Sequence, residues 1–169
     1  NFILPPCANP TVATLHDLSH LHYPHFHPRE RRVYLDRYLP RTLQCATRLI
    51  AVSEFVRQEV MALFGVAAER IVTVPNGVDP VFHPRPQADI LPVLNRHGLK
   101  PGGYLLAVAT LEPRKNLGRL AEAYGRLPAA LRQRYPLILV GARGWLTEAL
   151  ERQLAPLERS GQVRRLGYV

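Results

Sequence analysis

Short apolar runs alternate along the chain with segments of helical period. In TVATLHD, Thr11–Leu15 predicts a short buried strand that ends on His16 and Asp17. After a proline-punctuated loop, Val33, Leu35, Tyr38, Leu39 and Leu43 give residues 29–47 an uneven apolar face of helical spacing. RLIAVS (48–53) predicts a second strand, and Ser53 is placed to cap the helix EFVRQEVMALF, with Gly65 as its stop. IVTVP (71–75) predicts a third strand, and NGVD (76–79) a turn.

The pattern then breaks and restarts. VFHPRPQADILP carries three prolines in twelve residues and reads as a linker into a helix near Ile90–His97. The second part runs strand (104–110), LEPRKN, helix (117–127), strand (137–141), helix (146–158) and a closing strand in VRRLGYV. Strand–helix alternation predicts an α/β chain with parallel sheets and helical crossovers. The division falls at 82/83, giving two Rossmann-like halves, 1–82 and 83–169. Each has too few strands for a complete doubly wound sheet. In such sheets ligands bind at the carboxyl ends of the strands. That rule selects His16 and Asp17, Ser53 and Glu54, the stretch Asn76, Gly77, Val78 and Asp79, residues 110–116, and Gly141–Gly144.

Composition narrows the function classes. Apolar residues make up 47% and charged residues 21%, which are globular values. No apolar run approaches the roughly 18 residues of a membrane span. The opening NFILPPCANP does not resemble a leader peptide. Two cysteines, Cys7 and Cys45, are too few for a disulfide framework, so a reduced, cytoplasmic setting is expected. The net charge of +9 implies an anionic partner. Twenty arginines stand beside two lysines, Lys100 and Lys115, a skew that compositional bias of the genome also produces. Stacking platforms and a groove-reading helix are not evident, so nucleic acid is not the expected partner.

In LEPRKN, Arg114 and Lys115 sit where the next helix should begin. Cations there oppose the helix dipole unless an anion binds beside them. A diphosphate is the natural anion, and a solvated surface turn is the alternative. NGVD is explained equally well as a simple turn and Ser53 as a simple cap. Gly141 permits close approach of a ligand to the backbone. Five histidines fall within residues 16–27, and the His16/His20 spacing suggests zinc on a helix. Pro24 and Pro28 argue against a helix, so the spacing loses that meaning and no metal is expected. His16, at a strand end beside Asp17, is then the histidine for a catalytic cleft, with a hydrogen-bonded structural histidine as the alternative, and the other four are expected in the loop or at the surface. The 29–48 helix carries six arginines against Glu30 and Asp36. With Tyr34, Tyr38 and Leu39 it could lie on an anionic membrane surface, or simply pack on a sheet.

The segments ATLHDLSHLHYPHFHP, RLIAVSEFVRQEV, IVTVPNGVDPVFHP, YLLAVATLEPRKNLGRLAEAY, LILVGARGW and VRRLGYV, in this order, resemble family-4 retaining glycosyltransferases of the GT-B fold. The bacterial mannosyltransferases of O-antigen and related polysaccharides are the most similar branch. The resemblance implies a sugar nucleotide bound between two Rossmann-like domains, mainly on the second. Lys115 matches the lysine that grips the donor diphosphate. The usual arginine falls on Thr110, which leaves Arg114 as its substitute. His16 matches a strand-end histidine near the transferred sugar. Gly141 and the segment Gly167, Tyr168 and Val169 match places where backbone approaches diphosphate or base. The reaction implied is metal-independent and cofactor-free, with guanosine diphosphate mannose the favoured donor and a lipid-linked glycan the acceptor. Peripheral contact with the inner face of the membrane would run through the 29–48 helix. The family's paired glutamates would follow Val169 and its first strands would precede Asn1, so this stretch alone is expected to be inactive. A non-catalytic basic module that binds nucleotide or nucleic acid is the alternative.

Overall fold

A computed structural model describes residues 3–5 and 8–169; Cys7 lies outside the described residues. The chain forms two compact units, Asn1–Phe82 and His83–Val169. Each is built on a three-stranded parallel sheet.

In the first unit β1 (Val12–Leu15), β2 (Arg48–Ala51) and β3 (Ile71–Thr73) lie side by side in sequence order. Leu15 pairs with Ala51, and Ala51 with Thr73. Alternation along the strands sends Ala13, Leu15, Leu49, Ala51 and Ile71 to one face, where they are almost wholly buried. Helices α2 (Arg29–Cys45) and α3 (Glu54–Phe64) cover that face with Leu39, Leu43, Val56 and Val60. On the other face Val12 and Val72 remain about half exposed. The buried stripe of α2 is Leu35, Leu39, Thr42 and Leu43. Val33 lies on the open side, so the apolar face is narrower than the sequence pattern predicts.

Local signals set the ends of α3. Ser53 Oγ accepts the Val56 N–H at 3.2 Å, and Gly65 takes the left-handed conformation at φ 64°. Both features match the sequence-based expectation. The carboxyl end of α2 is closed from outside, because Arg70 Nη2 donates to the carbonyls of Leu43, Gln44 and Ala46 at 2.8, 3.1 and 2.6 Å.

In the second unit the order is β4 (Leu105–Val108), β5 (Leu137–Val140), β6 (Val163–Gly167). Both faces of the central strand are covered. Leu137 and Leu139 pack with Ala121 and Tyr124 of α5 (Leu117–Gly125) and Leu154 of α7 (Glu148–Arg159). Ile138 packs on the opposite side with Leu94 of α4 (Gln87–Arg96) and with Leu99. Two-sided burial explains the continuous apolar run LILV. Edge strand β4 leaves Leu106 and Val108 open.

Two expectations are corrected. Residues 129–134 form a short helix, α6, that the sequence pattern did not predict. Pro128 at its entry reads as a breaker, and a six-residue stretch is too short to show a period. What holds it is tertiary: Arg132 Nη1 donates to Leu127 O, and Nε to Gln162 Oε1 at 2.7 Å. The histidine loop is not irregular throughout either. Ser19–His22 forms a single helical turn, α1, and Pro24–Phe26 a 3-10 turn. His16 lies outside both, so the two-ligand helical spacing is still not realised.

Candidate functional site

At the carboxyl end of the first unit's sheet, His16 follows β1 directly and is exposed. The strand holds its backbone from one side, where Leu15 O accepts the Val52 N–H at 3.2 Å. Asp17 holds it from the other. Its Oδ1 accepts the Ser19 N–H at 2.9 Å and the Ser19 Oγ–H at 2.5 Å. Ser19 Oγ lies 3.0 Å from His27 Nε2. His20 and His27 lie in the loop, as one of the two expected placements has it, but are buried at 4% and 6% exposure rather than at the surface. Burial pushes the His20 pKa below its ordinary value; Asp36 and Asp17 oppose this, while His27 and Arg31 add to it. His22 pairs with Glu59 of α3. Among the described residues no group of three or more His, Cys, Asp and Glu side chains is disposed to hold a metal ion.

After β3, Asn76, Gly77 and Asp79 are exposed. Asp79 Oδ1 accepts the Val81 N–H at 2.9 Å, as an Asx turn does. Ser53 is the cap described above.

The second unit gathers more at its strand ends. Pairing of β4 with β5 continues beyond both strands: Ala109 N–H donates to Val140 O, Leu111 N–H to Ala142 O, and Gly144 N–H to Leu111 O. Gly141 N–H donates to Gly167 O at 2.7 Å, joining the end of β6. Thr110, Gly141 and Gly167 are thereby brought to one end of this unit, with Tyr168 and Val169 exposed beside them. Gly141 has φ 143°, and a Cβ there would lie 2.0 Å from Ala109 O. The close approach that needs this glycine in the structure is therefore to the neighbouring strand end.

Arg114 and Lys115, which the sequence places at the start of the helix, do not begin it. Pro113–Lys115 is a 3-10 turn, and Asn116, at φ 55°, separates it from α5. Two chain directions meet at that left-handed residue, so both cations stand just ahead of the helix. Asn116 gives α5 no side-chain cap. Glu112 is buried, and its Oε1 accepts from Arg114 Nε at 3.0 Å and pairs with Nη2 at 2.9 Å. Lys115 is exposed, and its ammonium makes no ion pair with the described residues. Two features here were missed from sequence. One is Glu112, whose burial depends on its tertiary setting. The other is Leu146 at φ 53° in the loop after β5, a strained position for a side chain with a Cβ.

Residues 6–82 match the family described as Glycosyltransferase Family 4. This stretch is a glycosyltransferase family 4 domain. The match coincides with the unit that carries the histidine loop. Across both units the chain is 41% identical over 169 residues to the O-antigen chain mannosyltransferase B of Escherichia coli, covering 100% of this chain and 44% of that protein. It is 32% identical over 158 residues to the serotype-specific mannosyltransferase WbdA of Escherichia coli, covering 91% of this chain and 19% of that one. The chain thus spans less than half the length of either relative. Among solved structures, Anabaena HepE in complex with UDP-glucose superposes with a TM-score of 0.68 at 23% identity, over 95% of this chain and 42% of that one. WaaG, a glycosyltransferase involved in lipopolysaccharide biosynthesis, gives 0.70 at 18%, over 94% and 45%. The family 4 domain and the unit after it have the α/β architecture of GT-B glycosyltransferases, with three strands in each sheet.

Proposed function

We propose that the chain is part of a glycosyltransferase that moves mannose from a nucleoside diphosphate sugar, guanosine diphosphate mannose for preference, onto a lipid-linked glycan. The observation that carries this reading is the arrangement just ahead of α5. An exposed lysine with no ion pair among the described residues stands before a helix whose N-cap residue gives no side-chain cap. That combination costs stability in isolation and becomes favourable when a diphosphate is bound, because dipole, N–H groups and ammonium then act on the same charge. The 41% identity to a mannosyltransferase over the whole chain supports the choice of sugar.

In this reading Lys115 binds the diphosphate. Arg114, oriented by Glu112, takes the place of an arginine at Thr110, and Gly141, Gly167, Tyr168 and Val169 offer backbone to diphosphate and base. The anomeric C–O bond breaks with its electron pair passing to the departing phosphate oxygen. The acceptor hydroxyl bonds to the anomeric carbon on the same face, and its proton goes to that oxygen, so configuration is retained. Positive side chains stabilise the developing charge without a metal ion. His16 orients the sugar. Turnover draws on residues outside this chain, consistent with relatives more than twice as long, so these residues alone bind donor without transferring sugar. The setting is cytoplasmic, at the inner membrane face.

Titration with guanosine diphosphate mannose, uridine diphosphate glucose and a polyanion such as heparin tests the donor site. Lys115→Ala is expected to weaken guanosine diphosphate mannose at least about tenfold, the scale of one charge-assisted contact. Equal binding of all three, unaffected by Lys115→Ala, would leave only a nonspecific basic surface.

A further inference from the structure

We propose that Ser19 and His27 are positioning residues that fix His16 at the end of β1; the proposal rests on the transferase reading for its kinetic consequence only. Counting hydrogens sets the direction of the chain. Ser19 Oγ has one hydrogen, and the 2.5 Å contact gives it to the Asp17 carboxylate. Ser19 Oγ must then accept at its 3.0 Å contact, so His27 carries its hydrogen on Nε2 and donates. The chain runs one way, from His27 to Ser19 to Asp17. Because the imidazole donates to the hydroxyl, Ser19 is not activated as a nucleophile. Its role is mechanical.

The surrounding backbone shows what the chain holds. Neither α1 nor α2 has a side-chain cap from its own N-cap residue, Leu18 or Pro28. The entry to α1 is set instead by Asp17 accepting the Ser19 N–H. The approach to α2 is set by His27, buried immediately before Pro28. Residues 17 and 27 thus clamp the two ends of the histidine loop. His16, the exposed side chain, sits between the pinned Leu15 carbonyl and the clamped Asp17. Losing the serine hydroxyl removes the two Oγ bonds of the clamp, to Asp17 and to His27, and leaves the Asp17 bond to the Ser19 N–H in place.

The test uses the intact protein with Ser19→Ala, Ser19→Thr and His27→Gln. Two readouts are taken: donor KM and kcat, and the histidine ring signals in a ¹⁵N spectrum. Ser19→Ala is expected to lower kcat by about tenfold or more with donor KM changed less than about twofold, the scale of a small misplacement of a reacting group. Ser19→Thr keeps both the donor and the acceptor and should recover most of kcat. His27→Gln, whose amide N–H can still donate, should lie between. The His16 signals should shift or broaden in Ser19→Ala and return in Ser19→Thr. An unchanged kcat in Ser19→Ala, or a loss that Ser19→Thr does not rescue, would overturn the proposal. If the intact wild-type protein transfers no sugar, the transferase reading falls, and the spectrum alone decides. His16 signals unmoved by Ser19→Ala then reject the clamp, and signals moved and rescued support it.

Discussion

His20 shows how one side chain ties stability to pH. It is buried beside α2, and desolvation holds its pKa below the ordinary histidine value. Above about pH 6.5 the ring is neutral in both folded and unfolded chains, so it imposes no pH dependence. As pH falls below that value the unfolded chain takes up a proton first. The folded chain resists until its lower pKa is reached, and stability drains away across that window. Thermal unfolding followed from pH 7.5 to 5.5 should show a falling midpoint in the wild type. His20→Leu should flatten that fall, with the remaining histidines serving as the internal control. A slope unchanged by the substitution would place the acid sensitivity elsewhere. A sequence cannot announce this burial: in LHDLSHLHYPHFHP the five rings look alike. Which of them face inward depends on a turn at Ser19–His22 and on a hydroxyl eight residues from His27.

At the scale of elements, tertiary hydrogen bonds fix what the apolar pattern leaves loose. Tyr124 near the end of α5 is buried, and its hydroxyl lies 2.7 Å from Gln162 O, 3.0 Å from Arg132 O and 3.3 Å from Tyr135 O. With one hydrogen it donates best to Gln162 O, the shortest contact, and so ties α5 to the entry of β6. Burial raises its pKa, which keeps it a donor at neutral pH. Tyr124→Phe removes only that oxygen. Chemical denaturation should show a loss of about 1 kcal/mol with an unchanged m-value. A loss near zero would mean that the carbonyl finds another donor. Among the described residues, β1 to β5 were legible because alternation or a mostly apolar run matches each one, β6 because it closes the strand–helix alternation, and α3 because serine and glycine mark its ends. Helix α6 was not legible, since Arg132 and Gln162, 30 residues apart, hold it in place. The candidate site divides the same way. Thr110, Lys115 and Gly141 follow from the strand-end rule, whereas the partnership of Glu112 with Arg114 follows only from the buried turn they share.

For the whole molecule the decisive quantity is charge. The chain carries +9, and among the described residues no helix is long and apolar enough to cross a membrane. A charge of this sign can draw a basic surface to an anionic bilayer, supplemented by a few interfacial side chains. Helix α2 offers a place for it. Arg29, Glu30, Val33, Tyr34, Arg37 and Tyr38 border an open hollow of about 470 Å³ on its solvent side, where two arginines outweigh one glutamate and Val33 and Tyr34 are at least half exposed. The Leu35, Leu39 and Leu43 stripe faces the core, so the helix serves packing and surface charge with different sides. Sedimentation of the intact protein with vesicles should show binding when the lipid contains phosphatidylglycerol and little when it is purely zwitterionic. Raising salt from about 0.05 to 0.5 M should release the protein, since the screening length falls to a few ångströms. Arg29→Glu with Arg37→Glu should weaken binding as salt does, while leaving the Lys115-dependent affinity for nucleoside diphosphate sugar intact. Binding that survives both salt and charge reversal would require an apolar insertion, which the charge of this helix does not supply.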